Sequence, residues 1–269
     1  MPTRKDGRFP VYIVTCSGSP RERVEHALRQ TEAYREIWDI SVIDGYTPDD
    51  DIVSDLYDAQ SNQWLCKRPM SSGEVAIYAS HRKAWQTLLA SGEDAALLLE
   101  DDFTFKDPTP AKELTKHWDA AAASDHLLDM VKLFDFERHR PRVEIASLDI
   151  GPLRASRWRD PTAGAVAYVF TKKAASNLLS RRRVFRPVDE DMKYFWELDL
   201  NIWSVRDGGI EEASEALGGS IVGGQRTRLR KSTRFRSLYG NLLTAHRKIM
   251  TRRANHRFIT GFHAKTEHQ

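Results

Sequence analysis

Ala95-Ala96-Leu97-Leu98-Leu99-Glu100-Asp101-Asp102 is the stretch on which the reading of the fold turns. A short, wholly apolar run that ends abruptly in three carboxylates reads as a buried strand emerging at the edge of a sheet where the acids begin. Three acids cannot all stay charged in a dry place. They are either solvated as an ordinary loop or gathered about a divalent cation such as Mg²⁺ or Mn²⁺, which takes oxygen ligands and offsets their repulsion.

Working outward, a helix leads into this strand. Ser71 and Glu74 have the S-x-x-E spacing of a capping box. Ile77, Tyr78, His81, Ala84, Trp85 and Leu88 follow on one stripe, and Gly92 ends the helix. Further upstream, residues 10–15 are β-rich and Ser17-Gly18-Ser19-Pro20 makes a turn. Residues 21–34 then carry a helical stripe through Val24, Ala27, Leu28 and Thr31, and Trp38 to Ile43 alternate before Asp44-Gly45. Strand, helix, strand at this spacing predicts a parallel α/β sheet. Residues 47–69 lack periodicity and are expected to be an irregular connection. Downstream, the pattern predicts a helix from Thr109 to Ala123, a strand from Asp129 to Phe136 and a loop over 137–142. After a polar stretch containing Arg154, Arg157 and Arg159 come a strand from Ala163 to Thr171, a helix over 172–180, a helix start at Pro187-Val188-Asp189 and a strand over 200–205.

The chain has 269 residues, 41% of them apolar, enough for a proper core. Its net charge of +3 does not imply a uniformly basic nucleic-acid surface. The basic residues are unevenly spread: residues 223–266 contain no acid but many Arg, Lys and His, interleaved with Leu238, Tyr239, Leu242, Ile249 and Met250. The expected organisation is one domain over 1–222 with a basic C-terminal helical extension over 223–269. That extension is expected to lie on an anionic membrane surface. Cys16 and Cys66 have no CxxC spacing, which argues against a disulfide scaffold or thiolate zinc site; both are expected to be reduced and partly buried. With no apolar h-region after Met1 and no window of about 20 apolar residues, a cytosolic protein is expected.

Several of these segments together resemble glycosyltransferase family 25, the lipooligosaccharide-biosynthesis glycosyltransferases, which also include the collagen galactosyltransferases. The resemblance rests on residues 11–14 with Arg21 and Arg23, Ile43-Asp44-Gly45, Gly73-Glu74-Val75-Ala76 with Ser80-His81, residues 97–102, residues 167–175 and Pro187-Val188-Asp189. The chain departs from the family at Thr15-Cys16-Ser17, where Asn-Leu-aromatic is usual, and at Ala76-Ile77, where Gly-Cys is usual.

The resemblance implies a GT-A-like α/β domain with a mostly parallel central sheet flanked by helices, and a nucleotide-sugar at the carboxyl ends of its strands. It implies a Mn²⁺ or Mg²⁺ cofactor on Glu100 and Asp102, and donor contacts from Thr15, Arg21, Arg23, Asp44, Glu74, His81 and Asp101. Asp189 is the implied base that takes the acceptor proton, with Glu190, Asp191 and Asp135 as alternatives. The implied partners are a UDP-hexose donor, most simply UDP-galactose, and a lipopolysaccharide or lipooligosaccharide core acceptor. Plain structural readings stand beside these. Glu74 fits a capping box, His81 a hydrogen-bonded core position, Arg21 and Arg23 a solvated helix face, Asp44 a turn, and Asp189 an N-cap. Two other functions stay open: nucleic-acid binding through the basic C-terminal region, and nucleotide-sugar binding without turnover.

Overall fold

The computed structural model describes residues 5–124, 127–137, 141–217 and 234–266. The apolar run is strand β3 (Ala95–Glu100), which lies parallel to β1 (Phe9–Cys16), and β1 in turn pairs parallel with β2 (Trp38–Gly45). Side chains alternate between the two faces: Leu98, Tyr12 and Val14 enter one core, while Leu97, Leu99, Val11 and Ile13 enter the other. Both faces are therefore covered, and for that reason these strands read as unbroken apolar runs.

Helix α1 (Arg21–Glu32) carries the chain from β1 to β2. The expected irregular connection over 47–69 instead contains two short helices, α2 (Asp51–Leu56) and α3 (Ala59–Leu65). Each is too short to show a periodic stripe. The second is capped by Asp58, whose side chain accepts from the Ser61 amide at 2.9 Å. Helix α4 (Ser72–Ser91) has the predicted capping box at Ser71 and Glu74 and the left-handed Gly92 (φ 85°) at its end.

After β3 the chain forms the short strand β4 (Phe103–Phe105), helix α5 (Thr109–Ser124) and β5 (Met130–Lys132). Next come the hairpin β6 (Glu144–Ile150) and β7 (Leu153–Trp158), then β8 (Ala167–Thr171) and helix α6 (Lys172–Ser180). Helix α7 (Val188–Met192), β9 (Ile202–Val205) and β10 (Ile210–Glu212) follow, and α8 (Arg234–Thr266) is the last element. The main sheet has eight strands in the order β2-β1-β3-β8-β5-β9-β7-β6. β8 and β7 run against the other six, so the sheet is mixed, with most of its strands in one direction.

The hairpin falls in what reads as a polar stretch. Arg157 is the reason: it is 3% exposed, with its guanidinium 3.9 Å from the Phe258 ring and 5.0 Å from the Phe195 ring. A cation buried against aromatic faces looks like a surface residue in a sequence. The basic region from residue 223 lies outside the described residues as far as 233. From 234 it is helical, with Thr251 and Asn255 buried and Phe258 and Phe262 packed against the core that holds Trp203. Part of its apolar content thus joins the sheet domain. Cys16 and Cys66 are not joined in a disulfide and are partly buried, the Cys66 thiol donating to the Phe185 carbonyl at 2.9 Å. Among the described residues no helix is long and apolar enough to cross a membrane.

Candidate functional site

From β1 the chain crosses to β2 on one side, and from β2 it returns past β1 to β3 on the other. The carboxyl ends of β1 and β3 therefore flank a point where the winding direction changes, which is where open α/β sheets leave a crevice. A cavity of about 160 Å³ lies there, lined among others by Thr15, Arg23, Glu74, His81, Glu100, Asp101, Asp102, Asp189 and Glu212.

The three acids leave β3 in different states. Asp101 accepts from the Thr15 hydroxyl at 2.8 Å and lies 3.7 Å from Arg23. Asp102 lies 3.6 Å from the same guanidinium, yet its Oδ1 is buried with no hydrogen-bond partner. Arg23 itself is 3% exposed, and its Nε donates to the Leu217 carbonyl at 3.0 Å. One guanidinium does not balance the carboxylates around it. Burial, followed by the charges of Glu100, Asp101 and Glu212, pushes the Asp102 carboxyl up to about 8, with Arg23 offsetting only part.

Glu100 is held by a chain of buried groups. The Trp85 indole N–H donates to the Tyr168 hydroxyl at 3.0 Å, that hydroxyl meets His81 Nδ1 at 2.9 Å, and His81 Nε2 meets Glu100 Oε1 at 3.1 Å. A carboxylate only accepts, so the proton sits on Nε2, Nδ1 accepts, and the Tyr168 hydroxyl donates to it. His81 is thus both a core histidine and a support for a cavity-lining carboxylate.

Glu74 is 2% exposed and does two things at once. It closes the capping box by accepting from the Ser71 amide at 3.0 Å, and it accepts two bonds from Arg68, at 2.7 and 2.6 Å. The bidentate pair, with the nearby Asp189 and Glu190 charges adding to it, raises the Arg68 guanidinium above its usual range. Asp189 lies one residue inside α7, where its Oδ1 accepts from the Glu190 amide at 2.8 Å; the N-cap is Pro187. The three other candidate carboxylates have partners as well. Asp191 is 1% exposed, accepting from the Tyr78 hydroxyl at 2.8 Å and from Arg186 at 3.1 Å. Glu190 pairs with Lys193, and Asp135 accepts from Lys132 at 2.5 Å and Arg142 at 2.6 Å.

Two residues expected at the site do not line the cavity. The Arg21 side chain is 91% exposed and pairs with Glu25 at 2.7 Å, a solvated helix face. Asp44 is exposed, and what it offers its neighbours is its carbonyl, which accepts from Lys83 at 2.6 Å. Gly45 beside it does matter: a Cβ there would collide with the Ser80 hydroxyl and the Thr15 carbonyl, so only glycine lets β2 approach β1 and α4 at the cavity rim.

Glu212 and Phe136, both lining the cavity, carry no signal in the sequence. Glu212 arrives by register, since β10 pairs with β4 and sets Glu212 opposite Phe103, next to Asp102. Among the described residues no three His, Cys, Asp or Glu side chains stand ready as a metal cluster. The donor set nevertheless suits Mg²⁺ or Mn²⁺ shared with a diphosphate, because such ions take one or two protein carboxylates and complete their shell with phosphate oxygens and water. Glu100 and Asp102 would be those ligands, the latter through its unpartnered oxygen.

A family model described as glycosyltransferase family 25 (LPS biosynthesis protein) matches residues 10–192. A glycosyltransferase 25 family member of Aedes aegypti is 26% identical over 110 residues, covering 39% of this chain and 18% of that protein. The inactive glycosyltransferase 25 family member 3 of Mus musculus is 25% identical over 227 residues, covering 75% of this chain and 36% of that protein. The chain thus spans well under half the length of both relatives. The crystal structure of A197 from STIV aligns at 12% identity with a TM-score of 0.37 over 74% of this chain and 82% of that one, too distant to inform the fold. The family match covers most of the sequence and encloses Thr15, Arg23, Glu74, His81, the acidic triplet and Asp189, so this chain belongs to glycosyltransferase family 25.

Proposed function

We propose that the chain is a metal-dependent, inverting hexosyltransferase on a GT-A-like scaffold. It moves a sugar, galactose in the first instance, from a UDP-hexose onto a lipopolysaccharide or lipooligosaccharide core sugar. The observation that carries this reading is the buried, unpartnered Asp102 oxygen beside Glu100, in a cavity at the β1/β3 crevice. A carboxylate left without a donor there is stabilised when a cation and a diphosphate arrive together.

A bound Mn²⁺ or Mg²⁺ supplies compensation for the charge that develops on the departing diphosphate. The chain's own residues do the rest. Glu100, steadied by His81 and Tyr168, and Asp102 would hold that cation, while Thr15 and Arg23 keep Asp101 and Asp102 in place. The acceptor hydroxyl oxygen bonds to the anomeric carbon as the bond from that carbon to the diphosphate oxygen breaks. The electron pair leaves with UDP, and the hydroxyl proton passes to the Asp189 carboxylate. A single displacement of this kind inverts the anomeric centre.

Donor binding without turnover is the second reading. It is favoured by the word inactive in the mouse relative's name and by Thr15-Cys16-Ser17 at the end of β1. Calorimetric titration of UDP with Mn²⁺ and with chelator, followed by assay of UDP release from UDP-galactose, separates the two. Metal-enhanced UDP binding with slow UDP release supports the transferase; binding without release supports the second reading. UDP affinity indifferent to chelator overturns the metal role.

A further inference from the structure

The last helix shares its surface with a second element. α8 meets the segment after α3 at Gly240, where a Cβ would lie 3.3 Å from the Lys67 Cγ, so the helix backbone rests on the lysine stem. Further along, Arg247 of α8 and Cys66 both act electrostatically on the Tyr194 hydroxyl. The end of α3 and the first turns of α8 therefore adjoin. Each brings large apolar side chains to the outside: Trp64, 60% exposed, and Leu65 from α3, Tyr239 and Leu242 from α8. Exposed apolar side chains gathered on two adjoining elements mark a surface that another molecule covers.

Charge indicates which molecule. Residues 59–73 contain no acid, and neither do residues 223–266; at the chain's average of 38 acids in 269 residues, about eight would be expected across the two stretches. Far apart in sequence, these two acid-free stretches adjoin in the fold. The acids that bracket the first are engaged: Asp58 accepts from the Ser61 amide at 2.9 Å and hydroxyl at 2.7 Å, and Glu74 is held by Arg68. Lys67 is exposed, and along the outward side of α8 Tyr239, Leu242 and Ile249 recur at helical spacing among exposed His246, Arg252 and Arg253. Apolar side chains set among cations, with a Trp and a Tyr whose rings carry a polar handle, fit the boundary between anionic headgroups and acyl chains. A nucleic acid would engage the cations but has no use for Leu65, Leu242 and Ile249.

We infer that α3 and α8 together form one docking face for a bilayer of anionic lipid, with Trp64 as its apolar anchor. The anchor thus belongs to the sheet domain, not to the basic C-terminal region. Arg68, next to Lys67, holds Glu74, which lines the cavity, so the face adjoins the cavity rim. The face does not depend on what the cavity binds. Its test uses the full-length chain with vesicles of phosphatidylglycerol in phosphatidylcholine, and with vesicles of phosphatidylcholine alone, read by flotation. Tryptophan emission is followed in parallel with lipids brominated on the acyl chains. Of the seven tryptophans Trp64 is the exposed one, so quenching by bromine reports its insertion.

In the wild type, anionic vesicles capture the chain at least about tenfold more strongly than neutral ones, and brominated lipid quenches its emission. Trp64→Phe loses most of the quenching and keeps capture within about twofold. Trp64→Glu lowers capture by about tenfold or more, while the melting temperature and UDP affinity stay unchanged, since Trp64 does not line the cavity. No preference for anionic vesicles, no quenching in the wild type, or capture unmoved by Trp64→Glu each overturns the inference, the last leaving α8 alone on the membrane. Oligonucleotide binding without vesicle capture, or self-association that Trp64→Glu abolishes without vesicle capture, overturns it in favour of a nucleic acid or a second copy of the chain. Capture by anionic vesicles of a chain that binds no UDP upholds the face and counts against the donor reading alone.

Discussion

In the proposed mechanism Asp102 carries the metal role, and its burial has a measurable consequence for the apo protein. Its carboxyl is pushed from the ordinary 3.8 up to about 8, chiefly by burial. Between those values the folded chain holds a proton that the unfolded chain has released, so stability falls as pH rises through that window, with a limiting slope of about 1.4 kcal/mol per pH unit. Asp102→Asn keeps the side-chain volume and removes the charge. Its apo melting temperature above pH 8 is expected to exceed that of wild type, with the pH slope flattened and metal-dependent UDP binding lost. An unchanged slope, followed by thermal denaturation from pH 5 to 9 in chelator, would show that the carboxyl does not carry the linkage. Asp189→Asn is the complementary change. The amide can still accept from the Glu190 amide but cannot take a proton, so UDP affinity stays within about twofold while turnover drops by about a hundredfold or more. Turnover within a few-fold of wild type would move the base to another residue.

The last helix divides its labour between two faces. Thr251 and Asn255 are buried, the Asn255 amide donates to the Arg159 carbonyl at 2.9 Å, and Phe258 lies over Arg157. Phe258→Ala is therefore expected to cost about 2–4 kcal/mol in urea unfolding, since it opens a void and uncovers a buried guanidinium. The outward residues Leu242, 65% exposed, and Ile249, 50% exposed, stand among arginines and lysines with no acid between 223 and 266. That combination suits an anionic membrane surface. Flotation with vesicles of anionic lipid should capture the protein and neutral vesicles should not, and Leu242→Glu/Ile249→Glu should lower capture while leaving UDP affinity intact. Equal capture by both vesicle types would remove the membrane role.

At the scale of the whole molecule, one crevice joins elements from both halves of the chain. Thr15 is the next-to-last residue of β1, Glu100 ends β3, Glu74 and His81 lie on α4, Asp189 is the second residue of α7 and Glu212 closes β10. A ligand that spans these elements stabilises the fold as a unit. At a hundredfold excess over its dissociation constant the gain is about 2.7 kcal/mol. UDP with Mn²⁺ is accordingly expected to raise the melting temperature of the whole transition by a few degrees, and UDP with chelator much less. A nucleic-acid-binding protein would show the reverse preference, with a salt-sensitive shift from DNA or RNA and none from UDP.

The sequence by itself determined the elements whose signals are local. The capping box at Ser71 and Glu74, the Gly92 stop and the apolar runs of β1 and β3 arise from neighbours a few residues apart, and each is present in the structure. The order of motifs likewise revealed the family. Tertiary structure alone decided the rest, because those features depend on residues brought together across the chain. The direction of β8 and β7, the burial of Arg157 beneath Phe258 and the occupation of Arg23 by Asp101 and Asp102 are such features. So is the arrival of Glu212 at the acidic triplet, where only the pairing of β10 with β4 places it. Charge and polarity along a chain record what a residue is; only packing decides whether that charge faces water, a ring or another carboxylate.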